Sequence, residues 1–323
     1  MTSLLVTGAA GFIGQSVVRA ARAAGYKVFT QGRRAAPGID VVCDLRAPLH
    51  NAPPADWVVH LAGAYAGANR DELEEKDFAF ARHVLAWATA TGVQNIAFAS
   101  AAEVYGAVAG IATEDAPTEP VIPYGRMKLR IEGLLAEFVA AAPGRTAAVL
   151  RLGEVYGVQG RLIQELSRRL RSGFCPWFGS GNVPLSFVHV DDVAQAFICA
   201  MARAKGFGIW NVADDVPATW KEFLGALSQG LEARRPPVRL PLILAHAYAA
   251  GTSLAAGLEG RPAVVTPRIV RLLTTSKPLS NTSLKQTLGF KPLYPGYGDG
   301  LKELLHGLSH DAGNGAAQRC APA

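Results

Sequence analysis

Apolar and polar positions follow two rhythms along most of this chain. Compact, largely apolar runs stand at Leu4-Leu5-Val6, with the strand starting at residue 3, and then at Lys27–Thr30, Ile39–Val42, Trp57–His60 and Asn95–Ser100. Runs of this length, bounded by Gly, Asn and Asp, read as buried strands. Between them the apolar residues fall three and four apart, the spacing of an amphipathic helix. That spacing begins at Ser16, spans Asp71–Thr91 and returns over Leu129–Ala142. Strand and helix in alternation predict an α/β fold with a doubly wound parallel sheet. Ligands of such sheets bind beyond the carboxyl ends of the strands.

The last third changes rhythm. Ile209–Val212 reads as a strand, and Thr219–Gly230 as a helix with Thr219 as its cap. Pro236 and Pro237 mark a loop. Leu240–Leu258 is an apolar helical stretch, with Gly251 a break, and Val264–Leu273 and Ser283–Leu288 are shorter helices. The pattern divides the chain into a nucleotide-type domain over 1–155, to which 185–213 partly returns, and a smaller, mostly helical lobe over 156–309. From 310 to 323 Gly, Ala, Asn and Gln dominate, so a disordered tail is expected.

Composition narrows the class. Half of the 323 residues are apolar, enough for a sizeable core without staples. The net charge of +6 is scattered, with arginine pairs at 33–34, 168–169 and 234–235, and no basic patch interleaved with aromatics. A solvated surface is favoured over a nucleic-acid site. Cys43, Cys175, Cys199 and Cys320 form no metal or redox spacing, and Cys43 and Cys199 sit in apolar runs. No metal is expected. With no leader before the first strand and no span of membrane length, a cytoplasmic protein is expected.

Chemistry concentrates at two places. The first is Thr7-Gly8-Ala9-Ala10-Gly11-Phe12-Ile13-Gly14, set between a strand and a helix. Gly8 permits the turn, Gly11 admits a diphosphate to the backbone, and Gly14 lets helix and strand pack closely. The helix N-terminus offers free N–H groups to the phosphates. After the second strand, where a carboxylate would bind a ribose 2′-hydroxyl, stand Arg33 and Arg34. Guanidinium groups pair with a 2′-phosphate, so NADP(H) is expected over NAD(H), the alternative being a solvated loop. Asp44 is placed for an adenine amine, beside Leu45, and Leu61-Ala62-Gly63 for backbone running along the cofactor. His60, alone among apolar residues, reads as structural.

The second is Tyr124-Gly125-Arg126-Met127-Lys128. Four residues apart on a helix, phenol and ammonium share a face. The ammonium favours the phenolate and can hold the nicotinamide ribose. Tyr124 would then exchange a proton while the cofactor exchanges hydride.

These motifs occur in the order seen in extended short-chain dehydrogenases/reductases, the NAD-dependent epimerase/dehydratase superfamily. The resemblance rests on the glycine turn, His60-Leu61-Ala62-Gly63, Val104-Tyr105-Gly106, Tyr124–Lys128, Arg151–Gly157 and Phe187–Ala194, and runs from residue 3 to about 309. It implies a Rossmann domain with a smaller substrate lobe. In the C-terminal third the chain is similar to 3β-hydroxysteroid dehydrogenases and dihydroflavonol reductases, and to some 4-keto-sugar reductases. The family usually has Ser or Thr three positions before the Val of Val-Tyr-Gly. Here that residue is Ala101, and Ser100, one earlier, is the candidate to assist catalysis or to bond local backbone. Sugar-nucleotide relatives usually carry an arginine where Leu185 stands, and Arg161 or Arg268 would have to replace it. Ala101, Glu103, Leu185 and Arg161 are thus the candidate substrate-lining positions. His189, Asp191 and Asp192 read as ties between the lobes.

The resemblance implies an NAD(P)-dependent enzyme interconverting a ketone and a secondary alcohol of a small-molecule substrate. The alternatives are a nucleotide-sugar epimerase or dehydratase that recycles a tightly bound cofactor, and a cofactor-binding protein that has lost catalysis, for which Ala101 is the support. Relatives are commonly dimers, so a homodimer is an expectation of the resemblance.

Overall fold

In a computed structural model of the chain, the structure describes residues 1–63, 71–258 and 265–317. The first half alternates as expected: β1 (Ser3–Thr7), α1 (Phe12–Ala23), β2 (Lys27–Gly32), β3 (Val41–Val42), β4 (Trp57–His60), α2 (Asp71–Thr91), β5 (Asn95–Ala101), a 3₁₀ turn (Ala102–Val104), α3 (Pro123–Ala140) and β6 (Thr146–Leu152). There follow β7 (Glu154–Tyr156), α4 (Arg161–Ser172), β8 (Pro176–Phe178), β9 (Pro184–Leu185), β10 (Phe187–His189), α5 (Val190–Arg203), β11 (Phe207–Val212), β12 (Ala218–Thr219) and α6 (Trp220–Gly230). Then come β13 (Val238–Leu240), α7 (Leu242–Leu258), α8 (Pro267–Leu273), α9 (Thr282–Leu288) and α10 (Tyr297–Ala317).

Among the described residues a seven-stranded parallel sheet runs in the order β11-β6-β5-β4-β1-β2-β3. The direction of winding reverses between β1 and β4, which opens a crevice at their carboxyl ends. Alternate residues of each strand feed opposite cores, as the two-residue period requires. Leu4, Val6, Val59, Ala97 and Ala99 pack on one side with α1 and α5, and Leu5, Val58, Ile96 and Phe98 on the other with α2 and α3.

The smaller lobe has its own core. Phe187 stacks on Phe223 with ring centres 4.3 Å apart, and Trp220, Leu166 and Leu304 close around them. Thr219 caps α6 through a reciprocal pair with Glu222. Asp192 of α5 accepts from the Leu293 and Tyr294 amides and so ties the sheet to the C-terminal segment.

Several elements depart from the sequence reading. α3 begins at Pro123, so it takes in Tyr124 and Lys128 as expected, and it ends at Ala140, two residues early; proline suits the first helical turn, where its missing N–H costs nothing. β3 is short, Val41–Val42, and β2 runs on to Gly32. α8 starts at Pro267, and Val264 lies outside the described residues. Of the tail expected to be disordered, 310–317 continues α10 and 318–323 lie outside the described residues.

Candidate active site

The crevice floor is the glycine turn. Gly8 has φ +69°, and a Cβ there would come within 2.8 Å of the Ala62 nitrogen. A Cβ on Gly14 would sit 2.3 Å from the Gly8 oxygen. The turn can close to this distance on β4 and on α1 only with glycine at these two positions. Gly11 caps α1 without a side-chain hydrogen bond, and no acid stands in the first turn. The N–H groups at this end are therefore left for an anion. Beneath the turn, Gln31 takes the Gly8 N–H on Oε1 and donates from Nε2 to the Cys43 carbonyl. Ala10 is exposed, and Phe12 and Ile13 are half-buried. Leu61 and Ala62 are half-buried and Gly63 exposed at the end of β4, while Leu45 is buried. Residues shaped and placed in this way fit a dinucleotide.

At the edge of the sheet Arg33 and Arg34 are exposed. Asp44 accepts from Arg46, at 2.5 Å from Nη2, and this bond with the added pull of Arg33 holds its carboxyl below the usual range. His60 is buried against Phe98, and its Nδ1 lies 2.8 Å from the Thr7 hydroxyl. Burial, with the charge of Lys128, brings it down to about 3, so its ring is neutral.

Tyr124 and Lys128 lie on successive turns of α3. Lys128 Nζ is 5.4 Å from the Tyr124 ring centre and 4.7 Å from that of Phe98, and it donates to the Ala99 carbonyl at 2.8 Å. Burial lowers Lys128 to about 8 against the pull of Asp77, Glu103 and Glu132. Burial raises the Tyr124 phenol well above its ordinary value, and Glu103, Asp77 and Glu154 add to the rise. Gly125 lets α3 press on the 3₁₀ turn, since a Cβ there would meet the Glu103 oxygen at 2.2 Å.

Three groups lay outside the sequence reading of the site: Asp77 and Glu154, whose charges act on Tyr124, and Lys277, which pairs with Glu154 and Glu103. Lys277 is buried, with Nζ 2.7 Å from Glu154 Oε1 and 3.3 Å from Glu103 Oε1. Burial opposes its charge, but the two carboxylates outweigh that and raise its pKa. Asp77 had a local signal, being an acid among the apolar positions of α2. Lys277 had none, because its partners stand far away along the chain, Glu154 being 123 residues distant.

Ser100 and Ala101 point to opposite sides of β5. The Ser100 hydroxyl donates to Glu132 Oε1 at 2.5 Å, within a buried pair in which Arg151 grips Glu132 at 2.7 Å. Ala101 is buried and brings no hydroxyl. Leu185 is fully buried in the core of the smaller lobe. Arg161 is exposed at the start of α4, beside Gly160, whose backbone lies against the Phe12 ring. His189 caps α5 by accepting from the Asp191 N–H, and Asp191 pairs with Arg19 of α1.

Known proteins resemble the chain along most of its length. Residues 4–213 match the model of the NAD dependent epimerase/dehydratase family. A 3-diazoavenalumate denitrifying reductase of a Streptomyces species is 30% identical over 322 residues, covering 92% of this chain and 98% of the relative. MoeE5 in complex with UDP-glucose and NAD superposes with a TM-score of 0.76 at 24% identity, covering 96% of this chain and 99% of the other. A UDP-glucose 4-epimerase of Thermus thermophilus in complex with NAD superposes with a TM-score of 0.73 at 23% identity, covering 94% of this chain and 98% of the other.

These structures overturn the expected preference for NADP(H), since they were captured with NAD. The physical reason lies at Arg33. It is exposed at the end of β2 and adds only the smallest of the pulls on Asp44, whose carboxylate Arg46 holds, so exposure of the guanidinium is not by itself an anion slot. With the match covering well over half of its length, the chain belongs to the NAD dependent epimerase/dehydratase family, enzymes of the extended short-chain dehydrogenase/reductase type.

Proposed function

We propose that this enzyme oxidises a secondary hydroxyl of an activated sugar with tightly held NAD and returns the hydride to the same molecule, as an epimerase or dehydratase. The observation that carries this reading is the charged cluster beside Tyr124. Glu103, Glu154 and Lys277 are sunk in protein there, with Asp77 also near the phenol. These groups answer one another, and a wall of paired charges suits a polyhydroxylated ring better than an apolar steroid-like ligand. The UDP-glucose and NAD held by MoeE5 agree with this.

Gly8, Gly11 and Gly14 hold the cofactor diphosphate at the start of α1, and Asp44 and Leu45 receive the adenine. When bound, NAD supplies the hydride acceptor and, oxidised, a positive ring. Tyr124 takes the proton from the substrate hydroxyl and returns it. In a site whose carboxylates raise the phenol, the Lys128 ammonium one turn away is the group of α3 that would favour the phenolate. Lys128 also holds the nicotinamide ribose. Arg161 and Arg268 are the cations that take the place of the missing clamp at Leu185. Three described cysteines, Cys43, Cys175 and Cys199, are buried free thiols, which suits a cytoplasmic setting.

A second reading, a reductase that consumes external cofactor, is favoured by the buried Leu185 and by the name of the Streptomyces relative. One experiment separates the two. Purified protein is incubated with a panel of sugar nucleotides, 4-keto sugar nucleotides among them, with and without added NADH. Product formed in excess over enzyme without added cofactor supports the first reading. Turnover only with stoichiometric NADH consumption overturns it in favour of the second.

A further inference from the structure

Helix α7 is an anomaly on the surface of the smaller lobe. Its sequence, Leu242–Leu258, contains no Asp, Glu, Lys or Arg. Ala245 and Ala249 are fully buried and share a small core with Phe178, Val265 and Val270. The opposite side carries Ile243, Ala247, Ala250, Leu254 and Leu258, whose spacing at three and four aligns them in one outward stripe. Ile243 is 84% exposed, Leu254 69% and Leu258 83%, with Leu242 and Leu244 widening the strip. Contiguous exposed apolar surface of this kind marks an interaction site.

The flank of the strip is cationic. Phe174, itself exposed, meets Tyr248 of α7 edge-on at 6.1 Å, which joins α7 to the end of α4. Arg171 is exposed at that end, and the stem of Arg235 lies against neighbouring Gly173. The segment 231–241, leading into α7, holds exposed Arg234, Arg235 and Arg239 against a single acid, Glu232. The acid of α4 on this side, Glu165, is already held by Arg168 and Arg169.

We propose that α7 docks flat on an anionic lipid bilayer, its aliphatic stripe in the acyl boundary and the arginines among the headgroups. α7 supplies the apolar area and the arginines of the neighbouring segments supply the attraction to anionic headgroups, the two contributions that a peripheral lipid contact combines. Among the described residues no helix is long and apolar enough to cross a membrane, so the contact is peripheral. A second copy fits less well. A twofold contact through this face would bring the two arginine rims together, and like charges repel. The proposal stands independently of the catalytic reading.

Vesicle co-sedimentation of the full chain tests it. Vesicles of phosphatidylcholine with about 30 mol% phosphatidylglycerol are compared with phosphatidylcholine alone. The wild type is expected to pellet with the anionic vesicles and to be released by high salt. The double variant Ile243→Glu/Leu254→Glu, at exposed positions, should bind at least about tenfold more weakly. Arg234→Gln/Arg235→Gln should weaken anionic binding alone. Unchanged melting temperatures keep loss of fold out of the result. Failure of the wild type to pellet overturns the proposal, as does binding that these variants leave intact. Self-association without vesicles that Ile243→Glu/Leu254→Glu abolishes would assign the face to a second copy instead.

Discussion

Tyr124 sits under opposing demands. Burial and three carboxylates favour its neutral form, which suits it to donate a proton, while accepting one needs positive charge close by. Tyr124→Phe keeps the ring and removes the proton. Turnover should fall at least about 100-fold with the melting temperature nearly unchanged, as steady-state kinetics and a thermal melt would show. Ser100 makes the opposite case. Its hydroxyl completes the Glu132–Arg151 pair, so Ser100→Ala should cost about 1 kcal/mol of stability and leave turnover within a few-fold. A loss as deep as that of Tyr124→Phe would place Ser100 in the chemistry. Tyr124 and Lys128 were legible in the sequence because one helical turn is a local relation. His60 was legible as structural from its apolar neighbours. Lys277 was not, because only tertiary packing brings it to Glu154 and Glu103, the carboxylates that act on Tyr124.

Elements were legible wherever their period was long enough to show. β1, β4, β5, α1 and α2 follow from patterns of apolar residues that the two cores then use. In α3 the apolar pattern shows only from Leu129, and the first turn, with Pro123 and Gly125, was legible through the Tyr124–Lys128 spacing alone. Gly125 is there for contact with the Glu103 backbone. The junction of β1 and α1 is the most demanding piece. Gly14→Ala would push a methyl group into the Gly8 carbonyl, so it should destabilise the fold by more than about 2 kcal/mol and weaken NAD binding in parallel. Urea unfolding and cofactor fluorescence would measure both. Wild-type values would mean that the turn can open, and with it the dinucleotide site.

At the scale of the whole molecule two buried acids set the response to pH: Asp192, which ties the sheet to the C-terminal segment, and Asp214, whose buried carboxyl oxygens have no hydrogen-bond partner among the described residues. Burial brings Asp192 up to about 6, against its bonds from Leu293 and Tyr294. Burial, with Asp192 and Asp215 nearby, brings Asp214 up to about 8. Both stand above the unfolded value, so the folded chain binds their protons more tightly. Their contribution to stability is full below about pH 4 and is lost as pH rises through 6 and then 8. Asp214→Asn should therefore flatten the decline in melting temperature between about pH 5 and pH 8 and be the more stable protein at the upper end. Parallel curves for variant and wild type would refute it. Cofactor choice was not legible from Arg33 and Arg34, because sequence does not say whether a guanidinium meets a phosphate or a neighbouring acid. The proposal that spans the molecule is that hydride leaves a sugar and comes back to it. UDP-glucose deuterated at carbon 4, converted with no added cofactor and weighed by mass spectrometry, tests this most directly. The account predicts product that keeps the deuterium. Deuterium carried off on free reduced cofactor, or conversion only as added NAD is consumed in equal amount, would contradict it.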